Sequence, residues 1–208
     1  MNKKIVIVDY GIGNIYSVHQ ALLKSGAQNV NVSSDINDIR NCDSLILPGV
    51  GSFSAGMSGL VKKDLVDPIK EFAKSGKPLL GICLGAQMLL SESEEFGIHK
   101  GLNLIPGKVM QIPRSDNFNY RVPLIGWVDF DLNSNIPIFK NMGRCESFYF
   151  VHSFHCLPTL KTNNLLTFSV DKNEITALVS KDNIFGAQFH PEKSSKSGQQ
   201  FLSNFINL

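Results

Sequence analysis

The stretch Leu79-Leu80-Gly81-Ile82-Cys83-Leu84-Gly85-Ala86-Gln87 decides how the chain is read. It passes from an apolar run, through a cysteine between two glycines, into a pattern that suits a helix. A structural cysteine buried in a core needs no such glycines. A cysteine on a tight strand-to-helix turn does, because the backbone bends sharply there and must let another group approach. Gly81-Ile82-Cys83-Leu84-Gly85 is the cysteine form of the G-x-S-x-G nucleophile elbow. Such a turn exposes the sulfur at the carboxyl edge of a sheet, where open α/β folds bind ligands. A helix start favours the thiolate of a cysteine seated on it. The next amide, that of Leu84, would face a developing oxyanion. The competing reading is a buried cysteine near a glycine-rich turn.

Outward from this point the first half alternates strands and helices. Lys4 to Val8 is a β-branched run of the kind buried on both faces of a sheet. Asn14 is placed to cap a helix whose apolar face carries Ile15, Val18, Ala21 and Leu22. Val30 and Val32 suggest a second strand, and Ser44 to Leu47 a third. A polar helix is expected from about Asp64 to Lys74, and Leu79 to Ile82 forms the next strand. This βαβα order implies a parallel sheet with helices on both faces. The second half reads as short strands at Val109–Ile112, Gly126–Phe130, Ser147–Val151, Leu165–Val170, Ile175–Val179 and Phe185–Phe189. They are expected to be antiparallel or mixed additions to the same sheet. Ser195 to Ile206 closes the chain as a helix. No repeat or linker interrupts residues 1–208, so one α/β domain is the simplest organisation.

Composition excludes several classes. With 208 residues the chain can bury a sizeable core. A formal net charge of +2 with scattered lysines leaves no nucleic-acid footprint. The apolar run Ile5–Val8 is too short for a signal-peptide core, and no stretch approaches the ~20 apolar residues of a membrane span. Cys42, Cys83, Cys145 and Cys156 are spaced too widely and irregularly for a disulfide framework or a zinc site. A cytoplasmic protein with reduced thiols is expected.

A thiolate nucleophile needs a base, and the base needs an orienter. Among the five histidines, His19 falls on a helix surface and His99 in a polar loop, whereas His152 and His155 follow a strand and could line a pocket. His190 stands out in Gln188-Phe189-His190-Pro191-Glu192. Pro191 forces His190 into an extended conformation. Residues two apart in an extended segment point the same way, so Glu192 can hold the imidazole. The alternative is a loop histidine beside a surface glutamate. A second element, Leu47-Pro48-Gly49-Val50-Gly51-Ser52-Phe53, also follows a strand and lies at the same edge. Its glycines let N–H groups approach a ligand, and Gly49 or Val50 would supply a second oxyanion donor. It lacks the G-K-[ST] ending of a phosphate loop.

These residues together resemble the class I (triad) glutamine amidotransferases. Asp9-Tyr10-Gly11-x-Gly13-Asn14, the Pro48–Phe53 loop, Gly126-Trp127, Tyr149-Phe150-Val151-His152-Ser153 and His190-Pro191-Glu192-Lys193-Ser194 narrow the resemblance. They are similar to the glutaminase subunits of imidazole glycerol phosphate synthases of histidine biosynthesis, nearly end to end. The resemblance implies a flavodoxin-like α/β fold, with a mostly parallel central sheet and antiparallel additions in the second half. It implies Cys83 as nucleophile, His190 as proton carrier and Glu192 as its orienter, with the Val50 and Leu84 amides as the oxyanion hole. L-glutamine would be held by Gly49, Gly51, Gln87 and the backbone around Ser153. Asn14 and Trp127 would face a (βα)8-barrel synthase subunit, which receives the ammonia within a heterodimer. No metal or organic cofactor is implied.

Two positions depart from the V-P-H-x-G-W-N pattern of these subunits: Leu124 replaces the histidine and Val128 the asparagine. By resemblance they neighbour the tryptophan that faces the partner, so the identity of the synthase is open. A barrel paralogue that aminates sugars for surface polysaccharides is the second reading. A cysteine peptidase or other thiol hydrolase, built on the same elbow and His–Glu pair, is a more remote one.

Overall fold

The computed structural model describes residues 3–113 and 121–208. In chain order the first half is β1 (Lys4–Val8), α1 (Ile15–Lys24), β2 (Asn29–Ser33), α2 (Ile36–Asn41), β3 (Ser44–Leu47), α3 (Phe53–Lys62), α4 (Val66–Lys74), β4 (Leu79–Ile82) and α5 (Leu84–Met88). The second half is β5 (Glu92–Ser93), β6 (His99–Lys100), β7 (Gly107–Gln111), β8 (Leu124–Phe130), β9 (Glu146–His152), β10 (Phe154–Pro158), β11 (Asn164–Val170), β12 (Asn173–Lys181), β13 (Ile184–Ala187) and α6 (Ser195–Ile206).

The main sheet has the order β11-β12-β13-β4-β3-β1-β2. β2, β1, β3, β4 and β13 are parallel, and β12 and β11 extend the sheet antiparallel. Period-2 alternation splits β1 between two cores: Ile5 and Ile7 pack with α1 and α6, Val6 and Val8 with α2, α3 and α4. That two-sided burial is why the run carries no polar residue after Lys4.

The expected single sheet is corrected in one respect. Of the second-half strands, only β11, β12 and β13 join it. β7 pairs with β10 and β5 in a four-stranded sheet that includes β6, while β8 and β9 form a separate ribbon. Strand pattern reports burial, whereas the choice of neighbour is made by tertiary packing. Helices α2 and α3 also exceed the sequence reading. Asp35 caps α2 by accepting from the Asn37 and Asp38 amides at 2.7 and 3.3 Å. α3 contains poor helix formers, but its glycines allow close packing: a Cβ on Gly59 would lie 2.6 Å from Tyr10 O, and one on Gly56 2.7 Å from Met88 Sδ. Asn14 occupies the N-cap of α1, but its side chain makes no capping bond. His99 lies in β6 rather than a loop. Among the described residues no helix is long and apolar enough to cross a membrane.

Candidate active site

The elbow forms where β4 ends. Cys83 takes φ 53° and ψ −108°, a left-handed conformation that costs a residue with a Cβ of order 1–3 kcal/mol. Gly85 makes the turn possible, since a Cβ there would lie 1.8 Å from Leu47 O of β3. The Cys83 amide donates to Ala187 O at 2.7 Å, tying the elbow to the end of β13. α5 is a helix of only five residues, all buried.

β13 brings the second component. It runs parallel to β4 with Ala187 opposite Ile82, so both chains leave the sheet at the same edge. Phe189 turns into an aromatic core, stacked on Phe148 with centroids 4.1 Å apart and edge-on to Phe150 and Phe201. Its neighbours Gln188 and His190 therefore face the other way. His190 hydrogen-bonds Cys83, and its Nδ1 meets Glu192 Oε1 at 2.8 Å. His190 is extended, as Pro191 requires, but Pro191–Lys193 is a 3₁₀ turn. The carboxylate thus reaches the imidazole by winding back, not along an extended strand. Ser194 fixes the turn: its hydroxyl donates to His190 O at 2.6 Å and accepts from the Tyr149 amide at 2.9 Å.

Burial alone would discharge His190, but the hydrogen bonds to Cys83 and Glu192 outweigh it and push the imidazolium up to about 9. Nearby His152 behaves oppositely. Burial lowers it to about 4; its hydrogen bond to Phe154 O favours the charge, but His155 and His190 nearby oppose it. The neutral His152 therefore donates Nδ1–H to Phe154 O at 2.8 Å.

A cavity of about 310 Å³ opens on these groups. Its walls include Cys83, Leu84, Gln87, His190, Ser153, Val50 and Gly51, which the sequence brought forward separately. Gly49 stands behind the wall: a Cβ on it would meet Gly85 N at 2.6 Å. The loop is clamped at both ends. Tyr10 Oη donates to Pro48 O at 2.6 Å, and the Phe53 amide donates to Glu95 Oε2 at 2.6 Å. Between the clamps Gly51 adopts φ +96°. His152 lines the cavity from the end of β9, whereas His155 is buried in β10 and accepts from the Thr176 amide at 3.5 Å. Glu95, in the cavity wall, and Gln188, against Cys83, are neighbours of the site that the motifs do not mark. Glu95 carries no local signal, but Gln188 obeys the same period-2 rule as His190, one step upstream. A wider groove of about 560 Å³, between α1 and α6, is lined by no cysteine or histidine.

Asn14 is half-buried at the start of α1. Trp127 is 54% exposed on β8, edge-on to Tyr149 at 5.8 Å. Leu124 and Val128 alternate with it and pack inward on the core, with Leu124 paired opposite His152. They do neighbour the tryptophan along the strand, but strand alternation turns them to the opposite face. Among the described residues no group of three or more His, Cys, Asp or Glu could hold a metal ion.

A cysteine elbow on a doubly wound sheet, with a His–Glu pair from the adjacent strand, is an acyl-transfer arrangement, and the comparisons with known proteins give it a class. The family model "Glutamine amidotransferase class-I" matches residues 6–208, and the chain belongs to that family; it is a glutaminase enzyme. It is 43% identical over 211 residues to the imidazole glycerol phosphate synthase subunit HisH 1 of Legionella pneumophila (strain Paris), spanning 98% of this chain and 99% of that protein. It is 44% identical over 206 residues to the HisH subunit of Prochlorococcus marinus (strain MIT 9211), spanning 99% and 95%. Among solved structures, a glutamine amidotransferase matches with a TM-score of 0.73 at 18% identity over 97% of this chain and 98% of that one. PurLQS from Thermotoga maritima matches with a TM-score of 0.72 at 22% identity over 100% and 99%. At these identities both speak for the fold.

Proposed function

We propose that residues 1–208 act as one unit, the cytoplasmic glutaminase subunit of an imidazole glycerol phosphate synthase. The unit hydrolyses L-glutamine and passes ammonia to a (βα)8-barrel synthase in a heterodimer. The observation that carries this reading is the elbow of Cys83 bonded to His190, with Glu192 at 2.8 Å behind it, in a chain 43% identical to such a subunit.

In this mechanism the Cys83 thiolate attacks the side-chain carboxamide carbon of glutamine. The oxyanion that forms is met by the amides of Leu84 and Val50. The His190 imidazolium gives its proton to the departing nitrogen, so ammonia leaves and a glutamyl thioester remains. Neutral His190 then takes a proton from water, whose oxygen attacks the thioester. Collapse releases glutamate and returns the thiolate beside an imidazolium. Glu192 keeps the ring oriented and its charge favourable. Glu95 and Ser153 both line the cavity; together they suit the ammonium and carboxylate of the amino acid. The exposed Trp127 on β8 and Asn14 at the start of α1 are assigned to the partner face.

The sugar-aminating alternative drew on Leu124 and Val128. Both pack inward, so neither favours a different partner. Reconstitution tests the assignment. With a histidine-pathway barrel, the chain should support synthesis from glutamine. Cys83→Ala should abolish that rate and leave synthesis from ammonium salts intact. Failure to bind that barrel, with productive binding to a sugar-aminating one, would overturn the partner assignment.

A further inference from the structure

Gln188 is buried against the elbow yet has no part in the chemistry above. The register of β4 and β13 puts it there: Ala187 pairs with Ile82, so the next residue of each strand, Gln188 and Cys83, stand side by side. Gln188 Nε2 lies 3.8 Å from Cys83 Sγ, within reach of an N–H···S hydrogen bond.

The direction of that bond is set from a distance. Phe154 O, a main-chain carbonyl, can only accept. It takes one N–H of Gln87 Nε2 at 2.9 Å and the Nδ1–H of His152 at 2.8 Å. The other N–H of Gln87 goes to Gln188 Oε1 at 3.1 Å. Gln188 is thereby left with its NH₂ group toward the sulfur. A flipped Gln188 would press two NH₂ groups together and turn a carbonyl oxygen on the sulfur. Both N–H groups of Gln87 are used, so only its Oε1 remains for anything in the cavity. The helix after the elbow has five residues, too few for a long helix to stabilise the anion.

The geometry points to Gln188 as a neutral donor that stabilises the Cys83 thiolate, with Gln87 as the positioning residue that aims it. This rests on Cys83 being the nucleophile. His190, Tyr10 and Cys156 are the titratable groups that interact with the sulfur. His152 and Glu95 line the same cavity. None of the five is altered in the variants below.

The test is the pH profile of iodoacetamide alkylation in the full chain, followed on the Cys83 peptide by mass spectrometry because Cys145 is exposed. Gln188→Leu should move the midpoint up by about one pH unit, a tenfold loss of thiolate below it. Gln87→Leu should move it the same way by less, and should add nothing when combined with Gln188→Leu. An unmoved midpoint in a folded Gln188→Leu variant overturns the proposal. If that variant does not fold, an unmoved midpoint in Gln87→Leu does so. Cys83→Ala separates the two readings. Retained glutaminase in that variant would sink the nucleophile itself, whereas its loss beside an unmoved Gln188→Leu midpoint sinks only this role.

Discussion

Glu192 holds His190 through one hydrogen bond of 2.8 Å, with 1% and 2% of their side chains exposed to water. The bond raises the proton affinity of the imidazole, and water does not screen it. His190 lies above its ordinary value, at about 9. Its contribution to stability is therefore complete below the unfolded value near 6.5 and is lost as pH rises through about 9. Glutaminase turnover should fall on the same alkaline limb, as the proton for the leaving ammonia is lost. Glu192→Gln should shift that limb to lower pH. His190→Ala should cost about 10²–10⁴-fold in turnover, and Glu192→Ala less. A limb that stays in place in Glu192→Gln would mean another group sets it.

The buried histidines predict an acid limb of stability. Burial first, with His155 and His190 adding to it, lowers His152 to about 4, while burial lowers His155 to about 4. The folded state favours both neutral forms, so this stability is full above about 6.5 and is lost as pH falls toward 4. The loss is at most about 3 kcal/mol per histidine. Urea titrations between pH 7 and 4 should show it, and His155→Gln should flatten the slope. An equal slope in that variant would contradict the assignment.

Gly85 should tolerate no side chain. A Cβ there would lie 1.8 Å from Leu47 O and 2.8 Å from Leu47 C, both backbone atoms of a central strand. Gly85→Ala should cost roughly 1–3 kcal/mol or more in stability, by forcing β3 and the elbow apart. Glutaminase should fall with it. Thermal unfolding of the variant with the wild-type midpoint would contradict the close packing of β3 on the elbow.

Much of this architecture is legible in the sequence where burial and periodicity agree. The bounds of β1, β4 and α6 coincide with the apolar pattern. Cys83 is marked by its glycines, and His190 by the proline that follows it. What is not legible depends on partners far along the chain. α3 is held by packing on Tyr10 and Met88, against the propensity of its own glycines and serines. The split of the second half into three sheets follows from strand pairing. Glu95 reaches the Pro48–Phe53 loop only because the fold places the turn after β5 beside the start of α3.

Strand alternation on β8 separates packing from partner contact. Leu124→Ala and Val128→Ala should lower stability, since both side chains pack on the core. Ile125 and Trp127 are exposed on the opposite face. Trp127→Ala should lower the unfolding midpoint only slightly, through the lost edge-on contact with Tyr149, and should weaken the complex with the partner synthase subunit, a loss that calorimetry reads directly. Unchanged affinity in Trp127→Ala would remove this face from the interface.

The most direct measurement is of the covalent intermediate. The chain, alone and with its partner synthase subunit, is mixed with glutamine, quenched in acid and digested. The peptides are then weighed. A glutamyl thioester on the peptide carrying Cys83, absent in Cys83→Ala together with all glutamine hydrolysis, is the predicted result. Glutamine turnover retained in Cys83→Ala, or an acyl group on another residue, would contradict the account.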